Sequence, residues 1–214
     1  MKNIMVLAKA AHPIGFFRIT LIGLLYMTSI LGQGLSQGER DRSMSHLHAT
    51  RKQFLDAVAP LSQAQWTFKP APDRWSVAEV AEHLAATEDE VLSTIRKALL
   101  QPAAPERKAE VAGQEERILK GVPNRSRKVQ APEEVLPTGR WKTKSDTVAA
   151  FQRNRDRTIE LVRTSEEDLR SHFAPHFILG LFDCYQWTVL LASHTERHLQ
   201  QIQEVVADPA FPKK

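Results

Sequence analysis

A single cysteine, Cys184, stands in a chain of 214 residues. No internal disulfide can form, so burial and hydrogen bonding must hold the fold without covalent staples. No stretch alternates polar and apolar residues as a strand would, and no segment repeats, so sheet-based and repeat architectures are not expected. No nucleic-acid-binding motif occurs. The basic cluster "RSRK" at 125–128 lies in a proline-rich, loop-like region and reads as a solvated stretch. Acidic residues are missing before Glu39, while Lys2, Lys9 and Arg18 precede or interrupt an apolar segment.

That one-sided charge, the uncharged run Ile19–Gly32 and the small residues after it describe a secretory signal peptide over residues 1–36. Gly32-x-Gly34 and Gly34-x-Ser36 are candidate cleavage sites. The alternatives are an uncleaved membrane anchor or a buried helix of the folded domain. The uncharged run is short for a spanning helix, which needs about 20 apolar residues. The expectation is an exported protein, periplasmic or extracellular, with membrane anchoring as the alternative. The charge argument changes accordingly. The full chain has 29 basic and 25 acidic residues and a net charge of +4. Without the three basic residues of the leader, 26 face 25, which gives no reason to expect a nucleic-acid surface. About 178 residues remain, enough for one domain with its own core.

Apolar spacing predicts four long helices in that domain. The first spans roughly Met44–Leu61, with Leu47, Phe54, Leu55 and Val58 on one side. The second follows "APDRWS", where Ser76 and Glu79 form a capping box, and runs to about Leu100 with Val77, Val80, Leu84, Val91, Ile95 and Leu99 inward. The third covers roughly Lys144–Arg163, with Val148, Phe151, Ile159 and Leu161. The fourth covers about Asp183–Val206. Between the second and third, residues 101–143 contain Pro102, Pro105, Pro123, Pro132 and Pro137 and one short helix around Glu106–Leu119. Proline inside a helix removes a hydrogen bond, so this stretch is a long crossover connection. The expected fold is an all-α four-helix bundle occupying residues 43–207, followed by a C-terminal tail at 208–214.

Polar rings interrupt the inward stripe of the fourth helix. Trp187, Leu191, His194, His198, Ile202 and Val205 follow one another at helical spacing, which aims both histidines into the core. An unpaired buried polar group costs about 1–3 kcal/mol. Hydrogen bonds to a neighbouring helix would answer that cost, and so would a shared divalent cation, for which neutral imidazoles at i and i+4 are suited ligands. His83 of the second helix, flanked by Ala85 and Ala86, is the candidate third ligand. Three histidines leave a coordination position open for water or substrate. His172 and His176 are also four apart, but Pro175 between them and Gly180 after them indicate a turn. His46 and His48 fall on different helix faces, and surface or packing roles suit all four.

"RWSVAEVAEHLAATEDEVL", "APEEVLPTGRW", "FQRNRDRTIELV" and "LGLFDCYQWTVLLASHTERHLQQIQEV" together resemble the DinB-like (DinB/YfiT) superfamily, over about residues 45–206. Arg197, Gln201 and Ile202 complete the closing H-x-x-R-H-x-x-Q-I pattern. The resemblance implies a four-helix bundle in up-down-down-up order, with the long connection between helices two and three. It also implies a divalent metal ion (nickel, zinc, iron or manganese) held by His83, His194 and His198. Relatives of this kind look like thiol S-transferases, which use bacillithiol or mycothiol, or a thiol-dependent isomerase. The implied activity is therefore that of a transferase or hydrolase activating a thiol or water, and the alternative is a non-catalytic metal-binding, structural or sensor bundle. Glu79, one turn before His83, is the candidate general base, although its cap already accounts for it. His176 and Tyr185 are candidates for the mouth of the site, and Cys184 for packing. The expected partners are a small-molecule substrate, a thiol among the candidates, and a second copy of the chain as a homodimer. No nucleic acid is expected, and a membrane only if the N-terminal segment is uncleaved.

Overall fold

The structure, a computed structural model, describes residues 34–213. The leader reading of residues 1–36 lies outside the described residues except for its last three. Among the described residues no helix is long and apolar enough to cross a membrane.

Six helices form. They are α1 (Gln37–Val58), α2 (Gln63–Thr67), α3 (Val77–Leu99), α4 (Gln114–Gly121), α5 (Lys144–Thr164) and α6 (Cys184–Val206). Their starts are chemically marked. Ser36, Ser62, Ser76 and Asp183 each close a capping box with Glu39, Gln65, Glu79 and Gln186, and Thr143 caps α5 through the Asp146 N–H. Each such cap satisfies an N–H that the helix leaves unpaired and contributes about 1 kcal/mol. The Ser36 cap places the start of α1 seven residues ahead of the expected Met44, and Leu35 is buried in the core beside it.

The long helices pack as a ring in which α1 touches α5 and α6, and α3 touches the same two. Side-chain pairs set the directions. Ser43 meets Thr188, and His46 meets Glu196, so α1 and α6 run the same way. Asn154 donates to the Ala85 carbonyl and Arg157 pairs with Asp89, so α3 and α5 also run parallel. His83 meets His194 near one end of α3, and Ile95 meets Cys184 near the other, which makes α3 and α6 antiparallel. Consecutive long helices that lie parallel and adjacent require a connection as long as the bundle. Residues 100–143 supply it and cover one flank on the way.

Two expectations are corrected within these connections. The single helix near Glu106–Leu119 is broken: Pro105–Val111 is a 3₁₀ helix, and Gly113, at φ +77°, separates it from α4. That positive φ is open to glycine at no steric cost and strains other residues. The second correction is a strand pair where no strand was expected. Phe173–His176 (β1) and Gly180–Asp183 (β2) form an antiparallel hairpin. Proline tolerates an edge strand, and Gly180 at φ +85° closes the turn. Too few residues alternate here for a periodicity signal.

The tail is docked. Phe211 packs edge-on against Phe68 at 5.6 Å, and the Gln65 amide donates to the Pro212 carbonyl.

The core divides in two. One cluster includes Leu47, Val91, Ile159 and Leu191, and the other includes Phe54, Leu84, Phe151 and Leu199. Between these residues, on every long helix, stands a polar one: Thr50, Glu88, Arg155 and Thr195. Arg155, wholly buried, pairs with Glu88 and donates to Thr50 (2.8 Å), Thr195 (2.8 Å) and the Leu47 carbonyl (2.9 Å). Four helices thus meet on one guanidinium, whose fixed fork suits such convergence.

Candidate metal centre

The histidine cluster lies beside this polar layer. α3 and α6 bring His83, His194 and His198 together, with one ring nitrogen of each within 4.8 Å of the others. The Nε2 of His194 lies 3.2 Å from that of His83 and 3.1 Å from that of His198. Tetrahedral nitrogen ligands about 2.0–2.1 Å from one zinc ion are about 3.3 Å apart, so the spacing is close to that of a shared ion.

The remaining ring nitrogens decide what the cluster can be. His83 Nδ1 lies 2.9 Å from the Val135 carbonyl, which can only accept. Its proton is therefore on Nδ1, and Nε2 carries a bare lone pair. His198 Nδ1 lies 2.8 Å from Gln201 Oε1. Arg125, a donor only, also contacts that oxygen at 3.3 Å, which fixes the amide orientation and makes His198 Nδ1 a donor. Two bare Nε2 atoms consequently face the Nε2 of His194. A neutral His194 can present at most one proton there, so at least one buried lone pair stays unmatched. A divalent cation accepts all three lone pairs at once, and the residues present fit it.

Electrostatics favours the same state. Burial pushes His83 down to about 4, and it holds His194 and His198 well below the ordinary imidazole range, helped by their mutual repulsion when charged. The rings are neutral at physiological pH, the form that binds metals. His83 and His198 are buried, and His194 alone keeps part of its surface in solvent.

The crossover reaches the ligands or their immediate neighbours at several points. Glu82, next to His83, accepts the backbone N–H groups of Thr138 (2.7 Å), Gly139 (2.9 Å) and Arg140 (3.0 Å). That pinned turn lies close to Val135, whose carbonyl orients His83. Arg197, next to His198, donates to the carbonyls of Val122, Asn124 and Arg127. Arg125 joins Glu204 and Gln201. Trp75 covers the cluster from the start of α3, 5.0 Å from the His83 ring and stacked 6.3 Å from His198. Partners that fix ligand tautomers and orientation typically change metal affinity 10–100-fold when lost.

The other candidates are placed elsewhere or otherwise engaged. Glu79 accepts from Lys69 at 2.8 Å and from the Ser76 backbone at 2.7 Å, so both oxygens serve the cap and an ion pair. Tyr185 is buried under Arg170, 4.3 Å from its guanidinium, in a network with Glu39, Glu115 and Asp183 and not among the histidines. Cys184 packs in the core. Burial, then the Asp183 charge, pushes its thiol up to about 12, which leaves it inert. His172 Nδ1 lies 3.3 Å from the Ala98 carbonyl, a packing role. Glu82, Glu88, Arg125 and Arg155 stand outside the site residues expected from the sequence. Arg155 lies four residues from both Phe151 and Ile159, and Glu88 four from Leu84, so both interrupt core stripes.

Comparison with known proteins gives the fold and the lineage. The DinB superfamily profile matches residues 46–202. The YuaE protein of Bacillus subtilis strain 168 is 24% identical over 162 residues, covering 76% of this chain and 96% of YuaE. The solved structure of YfiT from Bacillus subtilis aligns with a TM-score of 0.52 at 17% identity, covering 81% of this chain and 89% of YfiT. YfiT is described as a probable metal-dependent hydrolase with an unusual four-helix bundle topology. The chain described here belongs to the DinB superfamily.

Proposed function

We propose that this member of the DinB superfamily is a metal-dependent enzyme of hydrolase or thiol-transferase type, acting on a small molecule at His83, His194 and His198. The observation that carries the reading is the meeting of bare Nε2 lone pairs in a buried cluster, where a cation resolves what hydrogen bonding cannot. When bound, a divalent cation supplies Lewis acidity that lowers the pKa of water or a thiol. The chain's own residues do the rest. Val135 and Gln201 hold two imidazoles in the tautomer that presents Nε2. Trp75 and the crossover exclude bulk water from one side, and low local polarity strengthens charge stabilisation in the site. The partial exposure of His194 leaves an approach for substrate. The description of YfiT as a probable metal-dependent hydrolase supports the hydrolase arm. The competing reading, a non-catalytic ion that staples α3 to α6, draws on the burial of the other two rings.

Coordination separates the readings. Cobalt-substituted protein is expected to show an exchangeable solvent ligand, with visible absorption perturbed by added thiols or small anions. A spectrum that neither reagent changes overturns the enzymatic reading. Export through residues 1–36 is part of the proposal: the native chain should begin near residues 35–39, and an intact Met1 would favour an anchor.

A further inference from the structure

A fourth imidazole, outside the triad, has its proton assigned by the fold. His176 Nδ1 accepts the backbone N–H groups of Ile178 (3.2 Å) and Leu179 (3.1 Å) at the hairpin tip. That nitrogen is bare, so the neutral ring carries its proton on Nε2. The ring is clamped by aromatic neighbours, at 4.6 Å from Phe177, 5.4 Å from Phe182 and 5.5 Å from Trp187. Burial holds it uncharged, pushing it down to about 4. His176 is therefore a rigid neutral donor, and among the described residues its ring makes only the two bonds at Nδ1.

The hairpin carries this donor toward the histidine centre. β1 begins beside His172, whose Nδ1 lies 3.3 Å from the Ala98 carbonyl of α3. Four extended residues advance about 13 Å, the length of about nine residues of helix. The contact with Trp187, three residues into α6, shows that the strand runs back along the bundle and not off its end. His176 thus reaches the level of Thr87–Val91 on α3. Trp187 is two turns before His194 on the same stripe of α6. Thr87 is one turn beyond His83, and its hydroxyl is buried with no hydrogen-bond partner.

We propose that His176 is a substrate-contacting residue whose Nε2–H donates to an acceptor oxygen, carbonyl or oxyanion, of a substrate held at the three-histidine centre. The proposal rests on the metal-dependent reading above. It selects substrates that carry such an oxygen, because the two backbone N–H groups held at Nδ1 leave the ring only Nε2–H to offer.

The test uses full-length protein. Nitrogen-15 NMR of the zinc-loaded chain should show His176 as the Nε2–H tautomer, and the Nδ1–H tautomer would overturn the proposal. Cobalt-loaded protein is then titrated with acetohydroxamate, a probe with two acceptor oxygens, and followed by visible absorption. His176→Phe keeps an aromatic ring without the donor and should bind about tenfold more weakly, the loss expected for one such hydrogen bond. His176→Gln, which offers an amide N–H, should recover most of that loss, and all three proteins should hold equal cobalt. Wild-type affinity in His176→Phe, or no recovery in His176→Gln, overturns the role of His176 with the metal centre intact. Wild-type protein that takes up no cobalt, or does not respond to the probe, defeats the metal-dependent reading and this proposal with it.

Discussion

Arg155 and the three histidines occupy neighbouring levels of one bundle, for Thr195, which accepts from Arg155, directly follows His194 in α6. Both groups place polar atoms in the core, yet their surroundings differ. Around Arg155 every helix offers an acceptor: the Glu88 carboxylate, two threonine hydroxyls and the Leu47 carbonyl. Charge and hydrogen bonds balance there without outside help, except at Nε. Around His194 the neighbours are two further imidazoles whose protons are committed to Val135 and Gln201. Acceptors face acceptors. A polar group that the fold completes by itself belongs to stability, and one left incomplete in a consistent direction points to a missing ligand.

Removing one partner from the closed group should have the largest effect. Glu88→Ala leaves a guanidinium buried and uncompensated and is expected to cost about 3–5 kcal/mol of stability in urea unfolding. A loss below about 1 kcal/mol would mean that the layer is not a structural element. The open group predicts a pH effect of the opposite origin. In chelator the unfolded chain binds protons near pH 6.5, while folded His83 resists them until about 4. The unfolded state therefore binds more protons in that window, and the metal-free protein should lose stability as pH falls from 6.5 toward 4. His83→Leu should flatten that dependence in pH-resolved unfolding, and an unchanged slope would contradict the neutral, buried state of the ring. Loosening the crossover should be milder. Glu82→Ala frees three backbone N–H groups and should weaken zinc binding about 10–100-fold by calorimetry. Glu79→Gln should change least, lowering stability by up to about 1 kcal/mol with metal content intact, since Glu79 caps α3 and pairs with Lys69.

The same contrast explains what could be read from the amino-acid order. Val77, Val80, Leu84, Val91 and Ile95 repeat at helical spacing, so the helix and its inward face are local information. His194 and His198 broke a stripe of that kind and were visible for the same reason. Glu88 and Arg155 break stripes too, but an isolated charge on a helix usually lies in water, and only the meeting of four helices shows them paired. The tautomer-setting contacts are least legible. Val135 acts through its carbonyl, which no side-chain pattern encodes, and Glu82 through a turn 56 residues away. The hairpin was hidden by its brevity, and the start of α1 by the polar composition of its first turns.

Metal analysis of the purified full-length protein tests the central claim most directly. About one divalent ion per chain is expected in the wild type, with loss of that ion in each of His83→Ala, His194→Ala and His198→Ala while Glu88→Gln, if folded, retains it. Equal metal content in the wild type and all three histidine variants would contradict the assignment of the open cluster as a metal centre.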